Sequence, residues 1–457
     1  MEFNNSNSKN KVPTGFKVLL ADTTRWAGAT RLALALSKAG FAVAVVCPDH
    51  HPILKTRRRF QTFHYSALWP DRSLSLAIAA TEPHLVIPCD ERAAHHLRGL
   101  HSGESASGNT DNCLDSLIER SLGDFRNHAI LSARNEFLHV ARQEGLRVPD
   151  TEIVETASDL SLWAESHPFP WVLKADGTWG GGGVKIVHSL EQAEQAFVEL
   201  RNTYNLYRVA MKLCLDRDWF WLRPWASGAR PAVTVQSYID GRPANCGFVC
   251  WQGKVLACIA VEAVSTLGET GPASVVRVLD NRKMEAVAEK VARRLGLSGF
   301  VGLDFMIDER NAEAFLIEIN PRCTPVSHLQ LGPGQDLVEA LRAQLSATPL
   351  RKFPTQTNRA MIAYFPQAWH CQSSLLMESY QDIPGDEPEL VKELLEPWAS
   401  RSLLSRVSKG LSQLKAIFRP QAAKSLSSEE NGIGRLAIRP SGSAASKIRS
   451  ANGVTKV

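Results

Sequence analysis

Apolar residues in the first part of the chain fall in short continuous runs separated by stretches of helical period. Residues 16–22 (FKVLLAD) form the first run and end in a polar turn. Residues 28–39 (GATRLALALSKA) put Leu32, Leu36 and Ala39 on one helix face, and Gly40 supplies a left-handed stop. Residues 41–48 (FAVAVVCP) repeat the buried-strand pattern. Strand, helix and strand in this order predict a βαβ unit and a parallel sheet. Residues 84–90 (HLVIPCD) add a third strand, and 91–98 begin another helix. Residues 14–125 therefore read as a Rossmann-like domain. No GxGxxG follows its first strand, so a dinucleotide is not indicated. Ligands of such a sheet lie at the strand C-termini, here near Asp22, Asp49 and Asp90, although turn or capping roles are the simpler expectation for all three.

Beyond residue 125 the pattern changes. A helical stretch spans 126–144, closed by Gly145. Strand 151–154, a helix near 157–166 and strand 170–175 lead into the run Gly180, Gly181, Gly182, Gly183, after which strand 184–188 and helix 190–204 follow. Residues 205–230 contain the cluster Trp219-Phe220-Trp221-Leu222-Arg223-Pro224-Trp225, expected in a core or domain interface, with substrate contact as the alternative. Segments 232–240, 246–251 and 254–263, with turns at Asp240-Gly241 and Gln252-Gly253, predict antiparallel hairpins. Residues 282–295 form an amphipathic helix ended by Gly296. Two strands, 300–307 and 314–319, are joined by a charged turn, and a helix spans 335–346. The expected architecture is α/β and α+β. The 126–345 unit carries a glycine-bearing subdomain at about 150–235, and a small C-terminal extension covers 346–400.

Composition narrows the class. The apolar share of 44% suits a globular protein with a sizeable core. No run approaches the roughly 18 apolar residues of a membrane span, and residues 1–13 lack a secretory apolar region, so they read as a disordered leader. The nine cysteines are scattered without a CxxC pair, which points to reduced thiols in the cytoplasm rather than a disulfide framework or metal site. Residues 401–457 carry a formal charge of +9 against +5 for the whole chain, so the body is mildly acidic and the tail basic. That tail is rich in Ser, Lys and Arg and is expected to be mostly disordered. A mildly acidic body is not the footprint of a nucleic-acid-binding protein.

The strands near 304 and 318 carry the chemistry. Alternation puts Glu318 and Asn320 on one face of their strand. If 300–307 pairs with 314–319 as a hairpin, Asp304 falls beside Glu318. Two carboxylates and an amide oxygen then converge, a set of hard donors suited to Mg²⁺ shared with nucleotide phosphates. Arg322 can offer its fork to phosphate or carboxylate at the same place. The bland alternative, a surface strand with a salt-bridged Glu, conflicts with the apolar residues flanking these groups. The glycine run in KADGTWGGGGVKIV lacks the GxxxxGK[ST] spacing of a P-loop, and strands bound it on both sides, so it reads as a hairpin flap rather than a linker.

With Lys174 ahead of the glycines, the segment VQSYIDG at 235–241 and Glu-Ile-Asn-Pro-Arg at 318–322, the chain resembles the ATP-grasp enzymes over about residues 16–345. In motif style it is closest to biotin carboxylase and the carbamoyl phosphate synthetase large subunit. The resemblance implies a Rossmann-like domain followed by a two-subdomain ATP-grasp fold. It assigns Lys174 and Arg134 to the nucleotide phosphates, Gly180–Gly183 to a flap over them, and Gln236, Ser237 and Ile239 to adenine. Asp304, Glu318 and Asn320 become metal ligands, and Arg322 becomes the stabiliser of the reacting phosphoryl group. Ser274, within Gly271-Pro272-Ala273-Ser274, borders the γ-phosphate, with Arg277 a weaker candidate. The acidic residue such families use for ribose is absent just after 240, leaving Asp240 or Asn245 as substitutes.

The implied activity is an ATP- and Mg²⁺-dependent (or Mn²⁺-dependent) ligase that activates a small carboxylate as an acyl phosphate for attack by an amine. Bicarbonate activation of the carboxylase or carbamoyl phosphate type, and a non-ligating ATP-binding regulator, are the alternatives. The expected partners are ATP, a carboxylate and an amine. A homo-oligomer is compatible with the sequence.

Overall fold

The structure, a computed structural model, describes residues 15–101, 112–177, 183–216, 218–268, 271–352, 354–357 and 359–396. The expectations for the leader 1–13, for Gly180, Gly181 and Gly182, and for the tail 401–457 lie outside the described residues.

The N-terminal layer contains β1 (Lys17–Ala21), β2 (Ala42–Cys47), β3 (Gln61–His64) and β4 (Leu85–Pro88), all parallel, in the order β3-β2-β1-β4. Their side chains alternate between two cores. Val18 and Leu20 pack with Leu32 and Leu36 of α1 (Ala27–Ala39). Leu19 and Ala21 pack with Leu74 of α2 (Pro70–Thr81), Leu97 of α3 (Glu91–Gly99) and Ile118 of α4 (Asn112–Leu122). Burial on both faces is why these strands read as unbroken apolar runs. β3 and α2 are not expected from the pattern. β3 is a largely exposed edge strand whose only apolar residue is Phe63, and α2 mixes polar Ser73 and Thr81 with Pro70, Leu74 and Ala77 on its buried face. Gly40, at φ 101°, ends α1 as expected and donates its N–H to the carbonyls of Leu36 and Ser37.

The 126–144 stretch is not one helix. Ala133 sits in an extended conformation (φ −118°, ψ 112°) and divides α5 (His128–Ser132) from α6 (Arg134–Gln143). The break puts Arg134 at the start of a new helix.

A small sheet follows, built from β5 (Thr151–Val154), β6 (Trp171–Ala175), β7 (Val184–Val187) and β8 (Val233–Ser237) in the order β5-β8-β6-β7. α7 (Ala157–Ala164) and α8 (Leu190–Arg201) cover one face through Leu160, Trp163, Ala193 and Phe197. β6 and β7 pair antiparallel, and the Ala175 N–H bonds the Gly183 carbonyl at 2.9 Å.

The large sheet contains β9 (Gly241–Trp251), β10 (Lys254–Thr266), β11 (Ala273–Leu279), β12 (Gly299–Asp308), β13 (Ala314–Asn320), β14 (Met361–Ala363) and β15 (Tyr380–Gln381). Their order is β13-β12-β9-β10-β11-β14-β15. Residues 361–363 and 380–381, within the expected small C-terminal extension, lengthen this sheet at the β11 edge. The helix Arg282–Leu295 packs on one face through Met284, Ala288 and Val291. The helix Leu337–Ser346 packs on the other and shares a core with α1. No helix among the described residues is long and apolar enough to cross a membrane.

The aromatic segment lies at a domain interface. Arg92 of α3 makes a bidentate pair with Asp218 (2.9 and 2.8 Å), and its guanidinium lies 3.8 Å from the Phe220 ring centroid. Trp221 Nε1 donates to the same Asp218 at 3.2 Å.

Candidate active site

The strand register brings the acidic residues together. Asp304 on β12 stands opposite Glu318 on β13, and Gly302 stands opposite Asn320. Direct cross-strand partners share a face, so both carboxylates and Asn320 project to one side of the sheet. β9 lies on the other flank of β12 and pairs Asn245 with Asp304. Asp304 accepts hydrogen bonds from Asn245 Nδ2 (2.6 Å) and Asn320 Nδ2 (2.8 Å). Asn245, a candidate for ribose, is thus committed to the carboxylate pair. Asp240 is exposed, and its carbonyl accepts from the Glu309 N–H.

Glycine makes room for this arrangement. A Cβ on Gly302 would lie 2.4 Å from Thr324 Cγ2 and 3.4 Å from Asn245 Nδ2. Its register partner on β9, Gly247, would meet Val326 Cγ2 at 2.3 Å. The paired glycines let the segment after β13 lie directly on the sheet beside the carboxylates.

Basic groups arrive from other elements. Arg134 donates through Nη2 to Glu318 Oε1 (2.9 Å) and through Nη1 to Asp176 Oδ1 (3.1 Å). Asp176 follows β6 in the small sheet and Glu318 belongs to the large one, so Arg134 spans both. Its Nε is buried without a hydrogen-bond partner among the described residues. Lys174 on β6 donates to Gln236 Oε1 at 2.8 Å, and Gln236 Nε2 donates to Thr151 Oγ1 at 2.9 Å. Arg322 donates through Nε to Glu91 Oε1 (3.1 Å), through Nη2 to Asn320 Oδ1 (3.0 Å) and through Nη1 to the Cys323 carbonyl (3.1 Å).

The electrostatics follow from burial and these neighbours. Burial, then the facing Glu318 charge, raises the pKa of Asp304. Burial also acts to raise Glu318, but Arg134 and Lys174 outweigh it and hold Glu318 below its usual range. Burial, with repulsion from Arg134, lowers Lys174 to about 8. Burial raises Glu91 against the opposing charges of Arg322 and Arg98.

Among the described residues no cationic side chain hydrogen-bonds Asp304, whose only side-chain partners are two amide N–H groups. Two facing carboxylates supplied in this way fit a hard divalent cation such as Mg²⁺. Ligation by Asn320 Oδ1 would exchange its hydrogen bond from Arg322 for the ion.

The other expected residues lie elsewhere. Ser237, at the end of β8, donates its N–H to the Asp150 carbonyl, and half-buried Ile239 lies in the link to β9, where the chain passes from the small sheet to the large one. Ser274 is fully buried, with Oγ bonded to Ser265, and among the described residues no hydrogen bond joins it to the cluster. Arg277 is not brought in: it pairs with Glu262 at 2.6 Å, one register position out of phase with Asn245, hence on the opposite face. Asp22 and Asp90 turn into their own domain. Asp22 meets His51 at 2.9 Å and caps Thr24, while Asp90 caps α3 through the Ala93 N–H and accepts from Thr23. Asp49 pairs with His64 on the surface. The residue that reaches the cluster from this edge is Glu91, whose only sequence signal is its place after a strand C-terminus.

Residues 221–326 match the family model described as the ATP-grasp domain, a span that contains Asp304, Glu318, Asn320 and Arg322. The carbamoyl phosphate synthase large chain of Pyrococcus furiosus is 23% identical over 214 residues, covering 43% of this chain and only 17% of that one. A carboxyaminoimidazole ribonucleotide synthase from Aspergillus clavatus, solved with ATP, is similar with a TM-score of 0.54 and 16% identity, over 74% of this chain and 78% of that one. The biotin carboxylase domain of the Hydrogenobacter thermophilus 2-oxoglutarate carboxylase, solved with MgADP, ADP and bicarbonate, is similar with a TM-score of 0.50 and 15% identity, over 74% and 71%. The fold is shared with these ATP-grasp enzymes and carries an N-terminal Rossmann-like layer.

Proposed function

We propose that this protein is an ATP- and Mg²⁺-dependent ligase that activates a small carboxylate as an acyl phosphate and passes the acyl group to an amine. The observation that carries this reading is the convergence of Asp304, Glu318 and Asn320 with Arg134, Lys174 and Arg322 from both sheets and α6.

A carboxylate oxygen is a weak nucleophile that phosphate repels, so catalysis must neutralise charge and fix in-line geometry. Mg²⁺ held by Asp304, Glu318 and Asn320 would neutralise phosphate charge. Lys174 and Arg134 add fixed positive charge beside it. Arg322 orients the carboxylate as its oxygen attacks the γ-phosphorus and ADP leaves. The amine then attacks the acyl carbon, phosphate departs and the amine loses a proton. Gln236, Ser237 and Ile239, at the passage between the sheets, border the adenine.

The test is phosphate release from Mg·ATP across a panel of small acids, each with and without an amine. Release that requires both supports the ligase. ATP binding without turnover on any acid overturns it in favour of a nucleotide-binding regulator.

A further inference from the structure

Arginine–carboxylate pairs that join separate parts of this chain or brace its core differ in access, and in those of Arg92 and Arg134 the arginine itself is closed, 4% and 9% exposed. Arg31 and Asp382 tie α1 to the segment after β15, with side chains only 10% and 3% exposed. Arg342 and Glu339 are 2% and 3% exposed within one helix. Closed pairs of this kind brace the fold. Arg322 and Glu91 differ: their side chains are 21% and 37% exposed, although they join the large sheet to the Rossmann-like layer.

Their location is where a ligand is expected. The order β3-β2-β1-β4 reverses direction between β1 and β4, and ligands of open parallel sheets bind outside the strand C-termini at such a reversal. Glu91 opens α3, with Cys89 and Asp90 between it and the end of β4. Asp22 and Asp90, the carboxylates that follow β1 and β4 most closely, are occupied within their own domain, and Asp49 pairs with His64. Glu91 engages Arg322 through Oε1 alone, so Oε2 retains its lone pairs. Arg322 in turn contacts Asn320 beside the carboxylate pair.

We infer that Glu91 and Arg322 together read a zwitterion, so the acid this protein activates is an α-amino acid. Its carboxylate lies on Arg322, next to Asn320 and the phosphoryl-transfer residues, and its ammonium lies on Glu91. The two charged side chains touch each other, so the ligand's opposite charges must be separated by about one carbon. A ligand with a distant ammonium cannot meet both. This inference rests on the ligase reading for its chemistry, but not for its binding. A site built around a charged hydrogen-bond partner rejects an analogue lacking that partner, here because Glu91 Oε2 would lose water under the ligand without gaining an ammonium donor.

The experiment compares L-amino acids with their des-amino counterparts, using Mg·ATP and hydroxylamine as a general acceptor and scoring hydroxamate. In parallel, calorimetry measures binding of the same acids to the Mg·ADP form. At least one amino acid is expected to exceed its des-amino analogue by about a hundredfold or more in kcat/KM. Glu91→Gln raises the KM for that amino acid about tenfold or more and narrows the ratio of amino to des-amino kcat/KM, and Glu91→Asp restores part of the preference. Equal turnover of amino and des-amino acids overturns the inference. So does a Glu91→Gln variant that loses kcat on both alike, which would make Glu91 only a support for Arg322. If no acid is turned over, the ligase reading fails, and calorimetry still decides the inference. Binding of amino acids but not des-amino acids, lost in Glu91→Gln, upholds it; equal binding or none overturns it.

Discussion

Arg134 Nη2 lies 2.9 Å from Glu318 Oε1, and the other arm of the same guanidinium reaches Asp176, 3.1 Å away at the end of β6. One residue at the start of α6 therefore holds a carboxylate of each sheet. Replacing it with Gln leaves Glu318 facing Asp304 with its strongest compensating charge gone. Arg134→Gln is expected to lower kcat/KM about 10²–10³-fold, the usual loss for one preorganised electrostatic partner. Thermal unfolding checks that the variant still folds. Activity near that of the unmodified protein would remove Arg134 from the phosphate site.

Lys174 titrates at about 8 because burial and Arg134 disfavour its charge. Phosphates bind the ammonium form, so ATP binding above that pH must take up a proton. The apparent ATP dissociation constant is expected to be flat below pH 8 and to rise by up to about tenfold per pH unit above it. Lys174→Met is expected to bind more weakly at pH 7 and to lose the inflection. Nucleotide titrations from pH 6.5 to 9.5 read both effects.

Gly302 tests the close packing behind the carboxylates. The methyl of Gly302→Ala would lie 2.4 Å from the buried Thr324 side chain, so the segment after Arg322 must shift. Overpacking of this kind costs about 1–3 kcal/mol. The expected result is a lowered unfolding midpoint together with a loss of kcat greater than stability alone explains, since Asn245 and Asn320 flank the same spot.

The aromatic segment gives a prediction about dynamics. Asp218 holds it to α3 by accepting from Arg92 and Trp221. In Asp218→Asn, amide exchange across 206–226 is expected to quicken while exchange in β1, β2 and β4 is unchanged. Uniform exchange across the chain would show that the segment is held by other means.

Much of this arrangement was legible in the sequence, for definite reasons. β1, β2 and β4 are buried on both faces and read as apolar runs. Asp304 and Glu318 could be matched because their strands are adjacent in the chain and alternate regularly. The partnership of Asn245 could not, because β9 reaches β12 only by long-range pairing. Glu91 contacts Arg322 across 231 residues, a relationship no local periodicity encodes. The break at Ala133 left no Gly or Pro to mark it, and β3 is too polar and exposed to register as a strand. Ser274 and Arg277 were assigned from motif order alone, which does not report sheet face or burial.

The most direct test of the account is Mg²⁺-dependent phosphate release by Glu318→Gln, compared with the unmodified protein at matched unfolding midpoints. The substitution keeps the side chain's size and removes the charge that faces Asp304 and would hold the ion. The account predicts a folded protein whose Mg²⁺-dependent turnover is lost at every concentration of the acid. Turnover at the unmodified rate, with the same Mg²⁺ dependence, would contradict it.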